Sequence, residues 1–447
     1  MGNSLYSKKV ILFMGFFSLL FTFTNIIPLS LTFCFLVFLL PLLFLQQQSY
    51  PHLLIVTLGL YLYFFFWTLL YSPEAFLQYP FYRRDGNFFV SLMPMVIFGL
   101  LCLKVNVENV LKTFLTSVTA INFIVFLGHR LNPSFAGQFS EERSYYFFFF
   151  LTHNAAGGFL SILAAISIAF WMKKKNFLYF SCILINIITL YYTHSRGSLL
   201  ALLAALIVYI KFKEKYTKLF VGMSVIFTMI TLVIGYHYWN EMGRQESFME
   251  KYESGTDELV DLDFERSWTV LDRVVFLWPR AIDLFLKSPI VGTGFGSFND
   301  VPYNLKGVEY LVMMNFPEEY IYSDAHTHHS YLHILSETGV VGLFLVILML
   351  VLMRNLFLNL NSKLLKDVFM LMFWVVVWSS MTEHRIFTPA QMLPFFLLVG
   401  FLVGNLRAHT SNDQVVILKP MKQQLYFSLP KKAFKVNLPT FKIKVRQ

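Results

Sequence analysis

Four histidines, His326, His328, His329 and His333, fall within eight residues of one another. An imidazole titrates near neutrality, so it can take a proton from a weak nucleophile, and it is also the commonest metal ligand. A second chemistry comes from arginine. Arg83, Arg84, Arg130, Arg143, Arg196 and Arg385 stand at the ends of apolar segments, on one side of the chain's alternation, with no lysine among them. A guanidinium grips phosphate oxygens bidentately and an ammonium does not. The set therefore points to a phosphate-bearing ligand, against the plainer reading of helix-end side chains snorkelling to the interface. The histidines also leave a metal site open, because on a helix His329, His333 and Glu337 would recur at i, i+4 and i+8 on one face. Two imidazoles and a carboxylate can hold zinc. The plainer reading of His333 and Glu337 is helix polarity at a membrane surface. Cys34, Cys102 and Cys182 lie inside apolar segments and form no CxxC pair, so they read as small buried residues.

The elements that must position these side chains are membrane helices. Of the 447 residues, 56% are hydrophobic and only 14% charged, and Phe alone occurs 51 times. A soluble domain carries closer to about 25% charge. Apolar blocks near the roughly 20 residues that cross a bilayer recur at 10–27, 29–45, 53–71, 88–104, 110–128, 147–171, 176–192, 197–210, 218–236, 339–353, 366–382 and 391–406. The expected fold is an all-α polytopic membrane protein of about twelve transmembrane helices, the first retained because no small-residue cleavage site follows it.

Charge orients these helices. The basic loops Lys173 to Lys175, Lys211 to Lys218 and Arg354 to Lys366, with Lys8, Lys9 and a basic tail, all fall on one side. The positive-inside rule makes that side the cytoplasm and places both termini there. The opposite face carries one long segment, 237–338, with 17 Asp+Glu against 7 Lys+Arg, counted from the sequence. The overall charge of +10 is thus explained by topology and by attraction of the tail to anionic lipid, with no nucleic acid required. The organisation expected is a membrane domain over 1–236, a helical periplasmic loop over 237–338 between the ninth and tenth spans, a second membrane portion over 339–406 and a cytoplasmic tail over 407–447. In the loop, Trp268, Leu271, Val275, Trp278, Ile282 and Leu286 recur at helical spacing, which predicts a helix from Ser267 to Lys287 kinked at Pro279. A second helix should start near His326 and run into the tenth span.

Four segments carry the polar chemistry. They are Glu142-Arg143 with Thr152 to Gly158, then Thr193 to Gly197, then Asp272 to Trp278 leading into Ser288 to Gly296, and finally Ala325 to Leu332 leading into Ser336 to Gly342. Their order and their flanking of one large outer loop resemble the O-antigen ligase/polymerase superfamily. That pattern pairs an arginine with a tryptophan on one helix, here Arg273 and Trp278. It continues with P-x-x-G-x-G-x-G-x-F, an H-x-H-N-x-Y-L helix ending in E-x-G-x-x-G, and an earlier S-R-G. The chain departs from it at His329, where many members have Asn.

The resemblance implies an inverting, metal-independent glycosyltransferase with no cofactor, working on the periplasmic face of the bacterial inner membrane. The donor would be an undecaprenyl-diphosphate-linked glycan and the acceptor a hydroxyl of lipid A–core or of a growing glycan. It implies His328 as the catalytic base and Arg196 and Arg273 as the diphosphate clamp, with Arg143, Arg280 and His326 as further substrate-binding candidates. The leading expectation is O-antigen ligation to lipid A–core. Chain polymerisation and protein O-oligosaccharyl transfer are the alternatives within the family. A transporter is the alternative outside it; carriers keep charged sites near the midplane, and here the polar residues gather at the outer rim.

Overall fold

The computed structural model describes residues 52–71, 87–100, 105–132, 145–148, 150, 152–212, 273, 277–300, 326–386 and 389–410. Every regular element among them is helical. They are α1 (His52–Tyr71), α2 (Asn87–Leu100), α3 (Val107–Leu131), α4 (His153–Lys174), α5 (Phe177–Tyr192), α6 (Arg196–Leu206, continued by a π-helical turn, Ile207–Phe212), α7 (Trp278–Lys287), α8 (Ser330–Leu358), α9 (Lys363–Thr382) and α10 (Pro389–Thr410), with a short 3₁₀ turn over Ser297–Asp300. Five of these helices, α1, α3, α4, α8 and α9, are long and apolar enough to cross a membrane, and shorter apolar helices occupy Phe177–Tyr192, Arg196–Tyr209 and Gln391–Leu406. The spans expected at 10–27, 29–45 and 218–236 lie outside the described residues, as do most of 237–338 and nearly all of the tail.

Local sequence explains where the helices start. Asn106 caps α3 by accepting from the Asn109 amide, Thr152 caps α4 through the Ala155 amide, and Asn176 caps α5 through the Leu178 amide. The Thr152 cap corrects the sixth span, expected from residue 147. The aromatic run before it leaves the helix, with Phe148 at φ 52° and the Tyr146 amide donating to the Tyr192 carbonyl. Pro279 falls in the first turn of α7 as described, Arg273 and Leu277 ahead of it are π-helical, and the rest of the helix expected from Ser267 lies outside the described residues.

The centre of the bundle is α4 with α9. Burial covers 83% of the α4 window and 72% of the α9 window, against 33% for α8. In a bilayer, helices associate through close packing of small side chains and through internal hydrogen bonds. Ala156, Gly157, Gly158, Ser161, Ala164 and Ala165 give α4 the small face that this requires. Buried amides are satisfied between helices: Asn122 of α3 donates to Thr189 Oγ1 at 2.9 Å, and Asn186 of α5 donates to Thr119 Oγ1 at 3.0 Å and Ser167 Oγ at 3.1 Å. Such groups would otherwise lack partners inside hydrocarbon. The packing fixes the C-terminal end of α9 against α4 and α6, and that end carries the polar site.

Candidate functional site

The site is built around the turn after α9, Glu383-His384-Arg385-Ile386. Glu383 ends α9, its amide donating to the Ser379 carbonyl at 3.0 Å. Its carboxylate faces a guanidinium and an imidazole. Oε1 accepts from Arg273 Nη2 at 3.0 Å, and Oε2 accepts from His328 Nδ1 at 2.9 Å. Arg273 also donates to the Thr382 carbonyl at 3.2 Å. Burial alone would raise the Glu383 carboxyl. The hydrogen bond from His328 and the positive charges of Arg385, His328 and Arg273 outweigh it and hold the group at about 2.

His328 is presented by a turn fastened from both sides. Its backbone is left-handed, φ 51°, an uncommon conformation for a residue with a side chain. Thr327 donates to the His329 carbonyl at 2.8 Å, and Trp278 of α7 donates to the Thr327 carbonyl at 3.0 Å. Ser330 then ties the start of α8 to the α9 turn, donating to the Glu383 carbonyl at 3.0 Å and accepting from the Ile386 amide at 3.2 Å. The expected helix start near His326 thus falls at Ser330, because His329 is the N-cap: its Nδ1 accepts from the Leu332 amide at 3.1 Å. Asparagine is among the best N-caps, so the capping position that His329 fills is one an Asn could fill equally. The same bond takes His329 off the helix face proposed for a metal. Among the described residues no group of three or more His, Cys, Asp or Glu side chains is arranged to hold a metal ion.

Arg385 joins two further sequence segments to this turn. Its guanidinium is buried and donates to Ser195 Oγ at 3.2 Å, to Ser198 Oγ at 3.1 Å and to the Asn154 carbonyl. A Cβ on Gly157 would collide with the Ser195 side chain, and one on Gly158 would lie 3.2 Å from Arg385 Nη1. The glycines of the first segment thus admit the serines and the arginine of the others. Gly197 fits similarly, since a Cβ there would lie 3.0 Å from Thr382 Oγ1. That approach sets the neighbouring Arg196, which is exposed, beside the residues that Arg273 contacts.

The second half of the fourth segment does a different job. Glu337 is fully buried and accepts the Gly296 and Phe298 amides, each at 3.0 Å, through Oε1, while its backbone carbonyl accepts the Thr293 and Gly294 amides at 2.9 Å. The glycine-rich turn is thereby clasped onto α8 at Gly339, whose φ of 63° breaks the helix. Gly292, at φ 75°, has no room for a Cβ against the Glu337 carbonyl. Glu337 and His333, 3.4 Å apart and both fully buried, are therefore interior groups, correcting the reading of them as surface polarity.

Of the expected site residues, His328 and Arg273 meet directly and Arg196 lies beside them. His326 joins through ring contacts, its centroid 4.3 Å from that of His328 and 4.5 Å from that of His384. Arg280 stands apart, fully buried with its guanidinium 4.6 Å over the Phe298 ring, inside the packing of α7 on the glycine turn. Arg143 lies outside the described residues. Sequence reading missed Glu383 and His384. Their signal was the run Thr382-Glu383-His384-Arg385, four polar residues in succession closing an apolar span.

All four segments thus meet at one turn, and the second half of the fourth, at Glu337, fastens the glycine turn to the helix that follows His328. Residues 181–347 match the family model for O-antigen ligase. The matched stretch includes Arg196, Arg273, His328 and Glu337. It supports the superfamily that the four segments resemble and indicates a ligase- or polymerase-type function. No curated protein matches the chain.

Proposed function

We propose that the protein transfers a glycan from undecaprenyl diphosphate to an acceptor hydroxyl on the periplasmic face of the bacterial inner membrane, with lipid A–core as the acceptor. The observation that carries this reading is the placement of a half-buried imidazole, His328, beside an excess of fixed positive charge. Two guanidinium groups, Arg273 and Arg385, act on a single carboxylate, Glu383, and the exposed Arg196 stands at the start of α6, next to the Gly197 that packs on Thr382. Such a site favours an anion, and it favours most the anion that gains charge during reaction.

In the proposed step His328 Nε2 takes the proton of the acceptor hydroxyl. The hydroxyl oxygen bonds to the anomeric carbon from the face opposite the diphosphate, so the carbon inverts. The carbon–oxygen bond to the diphosphate breaks, and its electron pair leaves on the diphosphate oxygen, where Arg196 and Arg273 stabilise it. In this reading His326, whose ring lies against that of His328, contributes to substrate binding, and Arg143 is assigned the same role on the resemblance alone. No metal takes part, so chelation with EDTA should leave the purified activity intact. Loss restored by zinc would overturn that point. The long acidic segment faces the periplasm and both termini the cytoplasm. Alkaline phosphatase fused near Glu258 should be active and fused near Lys422 inactive.

The decisive experiment is a deletion strain. A ligase deletion leaves bare lipid A–core and accumulates long glycan on undecaprenyl diphosphate. Core carrying a single repeat unit would assign the chain to polymerisation. Unchanged lipopolysaccharide with an unglycosylated protein substrate would assign it to protein O-oligosaccharyl transfer.

A further inference from the structure

We propose that Glu383 is the positioning residue for His328, holding the imidazole with Nδ1–H turned inward and Nε2 turned toward the acceptor, and that buried Arg385 keeps this carboxylate in place when Arg273 turns to the donor. The inference rests on the reading of His328 as the base. A base works only in the tautomer whose free nitrogen faces the proton, and a carboxylate on the other nitrogen selects that tautomer. The 2.9 Å contact from Nδ1 to Glu383 Oε2 supplies this selection. The backbone repeats it, because the Ser330 hydroxyl bridges the Glu383 carbonyl and the Ile386 amide. The turn carrying the imidazole and the turn carrying the carboxylate therefore move as one unit.

Two arginines approach Glu383, and their surroundings divide the work. Arg273 is part-exposed and bonded to the same carboxylate as His328. A diphosphate can draw it away, since a guanidinium satisfies phosphate oxygens as readily as carboxylate ones. Arg385 is enclosed by Ser195, Ser198, the Asn154 carbonyl and the small face of α4. It is walled off from a ligand and its charge stays fixed. When Arg273 moves to the donor, Glu383 keeps one permanent counter-charge behind it and gives its whole front to His328.

The test is steady-state and single-turnover kinetics of the purified enzyme with undecaprenyl-diphosphate-linked glycan. Glu383→Gln should lower kcat by roughly 10²- to 10⁴-fold, the scale of losing the carboxylate from such a pair, without raising KM for the donor, because Arg273 is released and still present. Glu383→Asp, which keeps the charge, should recover part of the loss and guards against a folding defect. In a His328→Ala background Glu383→Gln should cost nothing more, since its effect runs through the imidazole. A Glu383→Gln enzyme within about threefold of the parent, or an undiminished further loss in the His328→Ala background, overturns the proposal. Full activity in His328→Ala alone would instead remove the base reading on which it stands.

Discussion

Glu337 and Glu383 are both buried carboxylates, each beside a histidine, at 3.4 Å from His333 and 2.9 Å from His328. Their other partners separate them. Glu337 accepts backbone amides of the glycine turn, groups that neither titrate nor move away. Glu383 faces guanidinium and imidazole side chains that remain part-exposed. An acid bonded to backbone fixes architecture, whereas an acid bonded to side chains at an open edge can exchange partners. The pair teaches that burial and a nearby imidazole do not by themselves mark a working carboxylate.

The largest effect should come from His328→Ala, which leaves only the slow residual transfer that single-turnover assays resolve, while the protein still accumulates in the membrane. Arg196→Lys and Arg273→Lys should be impaired more mildly, because charge survives and bidentate geometry is lost. In vitro transfer with immunoblotting for membrane protein checks both. Glu337→Ala should behave in the opposite way. It orphans two amides at about 1–3 kcal/mol each, so thermal stability in detergent and membrane abundance should fall while turnover per folded molecule stays near the parent's. Unchanged stability would erase the distinction between the two acids.

A smaller effect sharpens the same comparison through pH. Burial holds the His329 imidazole at about 4, below its ordinary 6.5. The unfolded chain therefore binds that proton more readily, so this contribution to stability is complete above about pH 6.5 and is lost as pH falls toward 4. Glu383, held at about 2, contributes in a lower window, complete above the usual carboxylate range and lost toward pH 2. His329→Asn keeps the helix cap and removes the titrating ring, so it should flatten the thermal-stability profile between pH 6.5 and 4 with little change in transfer. A profile as steep as the parent's would assign the sensitivity elsewhere.

Much of the fold was legible because hydrocarbon imposes length and composition directly. Nine of the expected spans correspond to helices α1–α6 and α8–α10. The errors fall where a local hydrogen bond overrides hydropathy. Phe147 and Phe148 read as span until the Thr152 cap excludes them. Within the site, His328, Arg196 and Arg273 were visible as motif residues. Glu383 was not, because a carboxylate just past an apolar helix looks like an ordinary boundary. Only the tertiary approach of the His328 turn gives it a partner. Glu337 was visible but misread, since its partners are backbone amides some forty positions away, which carry no side-chain signature.

The break at Gly339 also acts as a gauge of depth. Below it α8 runs without interruption from residue 340 to 358, about 19 residues, or roughly 28 Å at 1.5 Å each. That nearly equals the roughly 30 Å of a bilayer's hydrocarbon. The part above, Ser330 to Thr338, has nothing left to span, and His328 precedes it. The imidazole would then stand at the level of the lipid headgroups, the level at which a diphosphate on a polyprenyl tail floats. On the proposed function, donor and acceptor would reach it by sliding sideways in the plane of the membrane, with their tails still in oil, so that the search for the site runs in two dimensions.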